Sequence, residues 1–299
     1  MNLPPAFVQR IEKTFSERGQ LFLKALPNLL EQAAQRWQLD GLRVAEPLSY
    51  HVITYARRGE AEVVLKLGVP DRELRSEIRS LRQFAGRGAV RLLESDSGRG
   101  MLLLERLRPG GQLAGLADER RATRIAAEIM HTVRRPVPAE GGLVQLSDWL
   151  QGLERGRGRL EATDPLDRGL IAHAQSLARD LMAENQLPAL IHGDLHHFNI
   201  LESERGWLAI DPKGVVGPAA YEVGPFLLNP WVVTGIPRDA AERMAVRLTI
   251  LAEVLEMERE RVRQWGLVHA VLSAVWSLQD DGNWKPAMEC ARILASQAI

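Results

Sequence analysis

The residues best suited to chemistry lie in one short stretch of the chain, where the pattern His-x-Asp-x-x-x-x-Asn runs from His192 to Asn199. At this spacing one loop supplies a carboxylate and an amide. Asp194 can therefore accept or orient the proton of an attacking hydroxyl, and Asn199 can offer an oxygen to magnesium. Asp211 follows the apolar run 208–210, which is typical of a strand, and its carboxylate can bridge metal and phosphate oxygens. Each residue alone is typical of a turn or a cap, but together they predict a phosphoryl-transfer site.

Three of the seven histidines lie in the same loop, which raises the alternative of a zinc site. Tetrahedral zinc sites usually take ligands from beyond one six-residue loop, and the only cysteine, Cys290, is remote in the sequence. We therefore disfavour zinc. We expect His192 to pack behind the loop and brace it, and His196 and His197 to shape the loop or face a substrate.

A phosphoryl-transfer site also needs positive charge at the nucleotide phosphates, which kinases usually supply from a lysine within a strand. The chain has five lysines against 33 arginines, and Lys66 lies inside the strand-like run 63–67. A solvent-facing strand lysine is the alternative interpretation. The natural partner of Lys66 is a glutamate on the following helix. We prefer Glu77 to Glu73, because a glutamate in the first helical turn already interacts favourably with the helix dipole.

The elements that must position these residues change in type along the chain. Residues 4–37 carry apolar side chains at helical spacing, which predicts two helices, and the runs 52–55 and 61–67 predict a β-hairpin. A helix capped by Asp71 should follow the hairpin. The remaining pieces predicted for this half are strands at 89–93 and 101–104 and a connector at 105–111.

Beyond residue 111 the chain is mostly helical, interrupted by a β-like island at 190–211. A small β-rich half therefore precedes a large helical half, and the predicted fold class is α+β. We expect an N-terminal lobe over residues 1–107 and a C-terminal helical lobe over residues 108–299. Helical periodicity is found near 112–134, 165–186, 238–257 and 259–279.

The composition is that of a folded protein and argues against several partners. The 299 residues carry 38 basic and 38 acidic side chains and are 45% hydrophobic, which excludes disorder as the main state. A nucleic-acid-binding protein would usually show a basic balance, so we expect no nucleic acid partner. The sequence shows no leader-like N-terminus and no apolar run of membrane length, and its single cysteine precludes an intramolecular disulfide. We expect a cytoplasmic monomer that binds no membrane.

The motifs resemble those of the aminoglycoside phosphotransferase branch of the protein-kinase-like fold. The resemblance covers residues 63–276. It is carried by His-Gly-Asp-Leu-His-His-x-Asn-Ile-Leu at 192–201, Ala-Ile-Asp-Pro-Lys-Gly at 209–214, and Tyr-Glu-Val-Gly at 221–224 with Asn-Pro at 229–230. These details are most similar to the streptomycin 6-phosphotransferase group, also called the aminoglycoside/hydroxyurea resistance kinases.

The resemblance implies a two-lobed, protein-kinase-like fold with ATP bound between a small β-rich N-lobe and a larger, mainly helical C-lobe. The adenine would bond to backbone groups of the connector around Glu105 and Leu107. The phosphates would lie near Lys66, with Glu77 as the partner of that lysine.

The same resemblance implies that Asp194 is the catalytic base and that Asn199 and Asp211 bind Mg²⁺. Two departures from the protein-kinase pattern are visible in the sequence. No glycine-rich loop precedes Lys66, and the turn 48–51 is the candidate to take its place. Asp-Pro-Lys-Gly stands where protein kinases carry Asp-Phe-Gly, which argues against regulation by a phenylalanine switch. No Ala-Pro-Glu motif follows within an activation-loop length, so a protein substrate is disfavoured.

A cationic aminoglycoside should meet carboxylates, and the C-terminal part of the chain offers candidates. Asp280 and Asp281 follow a helical stripe that includes Trp265 and Trp276. We predict that both aspartates contact the substrate through paired charges, together with Glu222 of the motif segment. The alternatives are that the tryptophan stripe is core and that the two aspartates form a helix C-terminus and turn.

Three functional hypotheses remain open from the sequence. The first is an ATP-dependent phosphotransferase that modifies a hydroxyl of an aminoglycoside such as streptomycin and confers antibiotic resistance. The second is a kinase of another small hydroxyl-bearing molecule, such as a sugar, an amino alcohol or hydroxyurea. The third is a non-catalytic nucleotide-binding module, which is disfavoured because such a module has no chemical reason to keep all of Lys66, Asp194, Asn199 and Asp211.

Overall fold

An antiparallel sheet of five strands forms the centre of the N-terminal part of the molecule. The computed structural model describes residues 3–159, 166–184, 186–280 and 282–297. The strands are β1 (Asp40–Val44), β2 (Val52–Arg58), β3 (Ala61–Leu67), β4 (Leu92–Asp96) and β5 (Met101–Glu105). Their order across the sheet is β1-β2-β3-β5-β4, so β3 is the central strand.

The predicted hairpin is confirmed and is formed by β2 and β3. Arg58 pairs with Ala61 at its turn, and Lys66 lies between Ile53 of β2 and Leu102 of β5. Lys66 is only 3% exposed. Because β3 is hydrogen-bonded on both edges, the strand fixes the direction in which the Lys66 side chain leaves the sheet.

One helix, α3 (Arg72–Phe84), packs against one face of this sheet. Its predicted cap is confirmed, because the Asp71 carboxylate accepts a hydrogen bond from the N–H of Leu74 at 2.8 Å. Leu74 and Ile78 are buried in a cluster that includes side chains of β5. Helical spacing places Glu77 on the same buried side, where it is 4% exposed.

The two N-terminal helices that the sequence predicts are confirmed, and they cover the other face of the sheet. They are α1 (Pro5–Phe15) and α2 (Glu17–Trp37), and their apolar sides share a core with Leu65 and Leu103 of the sheet. The neighbouring Leu102 belongs instead to the cluster beneath α3. This alternation follows from the two-residue period of a strand, which sends successive side chains to opposite faces.

Helices around a large apolar core form the C-terminal part of the chain. They are α4 (Glu119–Val133), α5 (Leu146–Arg159), α6 (Arg168–Ala183), α7 (Val223–Leu228), α8 (Trp231–Thr234), α9 (Ala240–Leu255), α10 (Arg259–Asp280) and α11 (Lys285–Ser296). Trp265 of α10 is fully buried in this core. Over the described ranges, none of the helices combines the length and the apolar composition needed to span a bilayer.

Two small sheets support the segments that carry the predicted chemistry. One joins β6 (Pro109–Gln112), β10 (Ile200–Ser203) and β11 (Gly206–Ala209), and the other joins β7 (Arg135–Pro136), β8 (Val144–Gln145), β9 (Ala189–Ile191) and β12 (Val215–Gly217). Residues 192–199, here called the His-Asp loop, connect β9 to β10. Residues 210–214, here called the Asp-Pro-Lys segment, connect β11 to β12. Both segments are therefore anchored at each end by a paired strand.

The α+β class and the two-lobed arrangement are confirmed, and the structure adds elements that the sequence spacing does not predict. They include β1, α5 and α11, and also the short elements β6, β7, β8, β12, α7 and α8. The glycines at positions 152, 156 and 158 weaken the helical signal of α5, because glycine is among the poorest helix formers. The omission matters for function, since α5 carries Trp149.

Candidate active site

The His-Asp loop is held in shape by hydrogen bonds to its own backbone. The Nδ1 atom of His192 accepts from the N–H of Asp194 at 3.2 Å, and its Nε2 atom lies 2.9 Å from the carbonyl oxygen of Ile210. The carbonyl oxygen of His192 accepts from the N–H of Lys213 at 2.8 Å. His192 therefore braces the loop, as predicted from the sequence, and also ties it to the Asp-Pro-Lys segment.

The His-Asp loop and the Asp-Pro-Lys segment each contain a glycine that lets the backbone lie close to a neighbouring element. Gly193 has a φ of 85°, and a Cβ atom there would lie 2.4 Å from the Cγ2 atom of Val215. Gly214 has a φ of 66°, and a Cβ atom there would lie 2.7 Å from the carbonyl oxygen of Ser76. Asp211 also has a left-handed backbone, with a φ of 59°, which is uncommon for a residue with a side chain. Such strained positions concentrate at functional sites.

The side chain of Asn199 is oriented by the loop that carries it. Its Nδ2 atom donates to the carbonyl oxygen of Asp194 at 2.9 Å, so the hydrogen bond uses the nitrogen and leaves the amide oxygen for another partner. Amide and carboxylate oxygens are the donors that Mg²⁺ prefers, and Asp211 supplies the carboxylate. Within the described ranges no group of three or more histidine, cysteine, aspartate or glutamate side chains is arranged to hold a metal. A pair of oxygen ligands nevertheless fits Mg²⁺, which is usually held by one or two protein groups together with phosphates.

A buried ion-pair network joins the N-terminal sheet to the Asp-Pro-Lys segment. The Nζ atom of Lys66 donates to both carboxylate oxygens of Glu77, at 2.7 and 2.8 Å, and also to Asp211. The structure thus brings together three residues that are separated by up to 145 positions in the sequence. Glu77, and not Glu73, lies against Lys66.

The charges of Lys66 and Asp211 stabilise each other, whereas burial raises the pKa of Glu77 to about 7. Burial opposes the charged form of Lys66, but the carboxylates of Asp211 and Glu77 outweigh it and raise the pKa of that lysine. Burial would also raise the pKa of Asp211, but Lys66 and Lys213 outweigh it and hold that pKa well below its usual range. Asp194 differs, because burial raises its pKa above the ordinary value. A carboxylate with a raised pKa is a stronger proton acceptor than an ordinary aspartate.

The loop between β1 and β2, residues 45–51, is here called the cover loop. It contains the predicted turn, and the hydroxyl of Tyr50 donates to the carboxylate of Asp280 at 2.8 Å, which links the loop to the end of α10. Burial lowers the pKa of His51 well below its usual value, and the positive charge of Lys66 acts in the same direction. His51 is therefore neutral beside the Lys66 network.

Two neighbouring cavities lie beside these groups. The cover-loop cavity has a volume of about 310 Å³, and the His-Asp cavity has a volume of about 450 Å³. Glu73 and Lys213 line both, so the cavities meet at this pair of side chains. The cover-loop cavity is also lined by Tyr50, His51, Glu77 and Asp280, and the His-Asp cavity by Trp149, Asp194, His269 and Trp276.

The connector after β5 begins at Glu105, which is bonded to two other parts of the chain. The N–H of Glu105 donates to the carbonyl oxygen of Arg91 at 3.1 Å, and the Glu105 carboxylate bonds to Arg205. The hydrogen bonds described for the connector do not use the N–H of Leu107. Leu107 packs in the cluster beneath α3, against which the partly buried Val64 also lies.

Comparison with known proteins gives the family. A model of the aminoglycoside/hydroxyurea antibiotic resistance kinases matches residues 36–282 of the chain. The chain belongs to this family. A streptomycin 6-kinase from Streptomyces glaucescens is 32% identical, with 100% of this chain and 97% of the relative aligned. A hydroxyurea phosphotransferase from Kitasatospora aureofaciens is 35% identical, with 91% of this chain and 79% of the relative aligned.

Solved structures support the same fold for this resistance kinase. One is a thermostable mutant of an aminoglycoside phosphotransferase, described as a ternary complex with ADP and hygromycin B. It superposes with a TM-score of 0.63 at 16% sequence identity, covering 90% of this chain and 98% of that one. The two chains therefore share the kinase-like fold.

Glu222 lies behind the His-Asp loop and not at the substrate position that the sequence analysis predicts. Its two carboxylate oxygens accept hydrogen bonds from the N–H groups of His192, at 2.6 Å, and Gly193, at 3.0 Å. Glu222 is 2% exposed. This corrects the prediction, because a carboxylate that is buried and bonded to the His-Asp loop holds that loop in position instead of meeting a substrate.

The two predicted aspartates at the end of α10 have different outcomes. Asp280 lines the cover-loop cavity, where its carboxylate is bonded to Tyr50 and lies 4.0 Å from the Nζ atom of Lys13 on α1. Asp281 lies outside the described residues. The two tryptophans of the stripe also differ in environment. Trp265 is buried in the core, whereas Trp276 lines the His-Asp cavity.

Several residues around the cavities are not found by reasoning from the sequence. Lys213 could have been noticed, because it is one of five lysines and follows Asp211 by two positions. Trp149 cannot be identified from the sequence in this way, because the spacing does not predict the helix α5 that carries it. Glu73 lies in the first turn of a predicted helix, where the helix dipole already accounts for it, and nothing local singles out His269.

We expect the stability of the resistance kinase to fall when the pH is lowered from 7.5 to 5.5. Burial lowers the pKa of His192 from 6.5 to about 3, and its Nδ1 atom must stay unprotonated to accept from Asp194. Below pH 6.5 the unfolded chain takes up a proton that the folded chain does not. The stabilisation that the folded state gains from a neutral His192 is therefore complete above pH 6.5 and is lost as the pH falls towards 3. One such histidine costs about 1.4 kcal/mol over this interval.

Urea unfolding at the two pH values measures this loss. In His192→Asn the loss should be smaller by about 1.4 kcal/mol, because one titrating group is removed. His173→Asn is the matched control, because His173 is exposed on α6. An equal pH dependence in the unmodified kinase and His192→Asn would contradict the assignment.

Proposed function

We propose that this resistance kinase transfers the γ-phosphoryl group of ATP to a hydroxyl of an aminoglycoside such as streptomycin, and thereby confers resistance. The observation that carries the proposal is the position of Asp194. Its carboxylate lines a cavity of about 450 Å³ that adjoins, through Glu73 and Lys213, the cavity beside the Lys66 network. An acceptor in one cavity and nucleotide phosphates in the other would meet next to a proton acceptor.

The nucleotide would bind in the cleft between the lobes. Its adenine would pack among the partly buried side chains of Val64, Leu201 and Ile210, which lie against the cluster beneath α3. The adenine would then bond to the connector through backbone groups of Glu105 and Leu107. Within the part of the chain that the structure describes, no hydrogen bond is given for the N–H of Leu107, which supports this geometry.

The phosphates would lie beside Lys66, whose ammonium is already fixed by two carboxylates. We assign Mg²⁺ to the amide oxygen of Asn199 and the carboxylate of Asp211, since both are oxygen donors suited to that ion. When bound, Mg²⁺ supplies charge neutralisation at the phosphate oxygens. The cover loop would close over the phosphates in place of a glycine-rich loop.

Transfer would proceed in line. The acceptor oxygen bonds to the γ-phosphorus, the bond from that phosphorus to the β,γ-bridging oxygen breaks, and ADP leaves. The hydroxyl proton passes to the carboxylate of Asp194. Most of the rate enhancement would come from positioning and electrostatic stabilisation, because the protein forms no covalent intermediate in this scheme.

The walls of the His-Asp cavity support a cationic acceptor. Glu73 and Asp194 contribute two carboxylates against the single ammonium of Lys213, and the rings of Trp149 and Trp276 meet edge to face with centroids 5.5 Å apart. Burial lowers the pKa of His269 to about 3, so this histidine adds no positive charge. Amino and guanidino groups bind both carboxylates and aromatic faces.

Hydroxyurea is the second candidate acceptor, because one relative is named a hydroxyurea phosphotransferase. Hydroxyurea is neutral and far smaller than 450 Å³, so the cavity charge and volume favour the aminoglycoside. We also propose that the kinase works as a cytoplasmic monomer without a nucleic acid partner. The balanced charge of the chain supports the last of these points.

A coupled assay of ADP release with ATP and Mg²⁺ tests the function. We expect turnover with streptomycin, and weaker or no turnover with hydroxyurea, other aminoglycosides and small alcohols. Mass spectrometry should find streptomycin heavier by one phosphoryl group. Turnover restricted to hydroxyurea or another small alcohol would overturn the aminoglycoside assignment and leave the kinase activity in place.

A further inference from the structure

Lys213 stands at the junction of the two cavities. It lines the cover-loop cavity together with His51 and Glu77, and it lines the His-Asp cavity together with Asp194. A phosphoryl group that leaves a nucleotide on one side and reaches an acceptor beside Asp194 on the other must pass this point. The side chain of Lys213 therefore borders the path of the transferred group.

The backbone of Lys213 is fixed although its side chain is not enclosed. Its N–H donates to the carbonyl oxygen of His192 at 2.8 Å, and Gly214 donates to the same oxygen at 3.0 Å. These bonds attach the residue to the His-Asp loop, so its Cα atom keeps a constant relation to Asp194. The side chain itself is 29% exposed and can reorient.

The two lysines of the site are held very differently. Lys66 is enclosed, with 4% of its side chain exposed, and is bonded to Glu77 and Asp211. The described ion pair of Lys213 is with Glu73, at 3.7 Å, which is longer than a hydrogen bond, and the Glu73 side chain is 54% exposed. An exposed pair of this kind contributes little and can exchange readily for an anion.

We propose that Lys213 binds the γ-phosphoryl group of the nucleotide and stays with it during transfer, leaving Glu73 when the nucleotide binds. The inference rests on the proposed function, because it assumes phosphoryl transfer between the two cavities. An ammonium group supplies charge-assisted hydrogen bonds to phosphate oxygens. The two lysines would then have separate roles. Lys66 would stay fixed in the sheet, and Lys213 would bind the transferred group.

A merely structural role for Lys213 makes a different prediction. If the ammonium only balanced the carboxylates of Glu73, Asp194 and Asp211, its removal would affect all nucleotides alike. Contact with the γ-phosphoryl group instead predicts discrimination between a triphosphate and a diphosphate. Calorimetric titration with ADP and with a non-hydrolysable ATP analogue, both with Mg²⁺, separates the two roles.

In Lys213→Met we expect the affinity for the ATP analogue to fall about 10- to 100-fold, as for the loss of a hydrogen bond to a charged group, with ADP changing less than about threefold. Lys213→Arg keeps the charge and should recover part of the loss. Lys24→Met is the matched control, because Lys24 is exposed on α2, and it should bind both nucleotides normally. Parallel losses for ADP and the analogue, or no loss for either, would overturn the assignment.

A second measurement uses the unmodified protein and does not depend on the folding of a variant. Acetylation of lysine amines, followed by mass spectrometry, should show Lys213 protected by the ATP analogue but not by ADP. Lys24 and Lys285, both exposed, serve as internal references. Equal reactivity of Lys213 with the two nucleotides would contradict the proposal.

Neither measurement needs an acceptor, so both test the role of Lys213 independently of the identity of the substrate. A protein that discriminates the two nucleotides through Lys213 but does not modify streptomycin would overturn only the proposed acceptor. A protein that binds neither nucleotide would overturn the kinase function and this assignment together.

Discussion

Replacement of Asp194 by asparagine should lower kcat by about 10²- to 10⁴-fold, the range for loss of a positioned general base. The amide cannot accept the hydroxyl proton, but it has nearly the same size as the carboxylate. The backbone bonds that fix the loop also remain, since they use the N–H of Asp194 with His192 and its carbonyl oxygen with Asn199. The loss should therefore appear in kcat, measured by ADP release with streptomycin.

The control for this experiment is a substitution of the same kind at a distant site. Asp180 is exposed on α6, so Asp180→Asn should keep the activity of the unmodified kinase. Calorimetry should find unchanged ADP affinity in Asp194→Asn. If Asp194→Asn turned over streptomycin within about threefold of the unmodified rate, Asp194 would not be the base.

Most elements of the N-terminal lobe, with the exception of β1, were predictable because their signals are local. The two-residue alternation of β2 and β3 and the cap at Asp71 depend only on neighbouring residues. The same is true of the apolar stripe of α3, whose phase places Glu77 on the buried side. The central position of β3 in the sheet was not predictable, because it depends on pairing with β5, which lies more than 30 positions further along.

The walls of the active site depend on contacts that no local pattern contains. The His-Asp cavity takes Glu73 from α3, Trp149 from α5 and Trp276 from α10, and each has an ordinary interpretation in its own segment. Glu222 is the opposite case. Its motif context suggested a substrate contact, but 30 positions separate it from the His192 N–H group that it binds. Burial decides its role, and burial is a property of the assembled fold.

The N-terminal helices show how far the site extends beyond the matched family region. The family model begins at residue 36, yet Thr14 and Phe15 line the cover-loop cavity. Arg10 also lies over the ring of Tyr50, 5.6 Å from its centroid. Helix α1 therefore supports the cover loop directly, and its packing on the sheet connects the loop to the core of the lobe.

Replacement of Asp211 by asparagine should lower kcat/KM for ATP by about 10²- to 10³-fold, as for the loss of one preorganised charge at the reacting group. Asp211 has two roles in the proposed site, as a ligand for Mg²⁺ and as a partner of Lys66. Its low pKa means that the unmodified residue is ionised throughout the neutral range, so the substitution removes a full charge.

Calorimetry with and without Mg²⁺ tests the first role, because the increase in ATP-analogue affinity that Mg²⁺ gives the unmodified kinase should disappear in Asp211→Asn. Asp180→Asn should retain that increase. If Asp211→Asn kept the Mg²⁺ dependence, the residue would act through Lys66 alone and the metal would have to be assigned elsewhere.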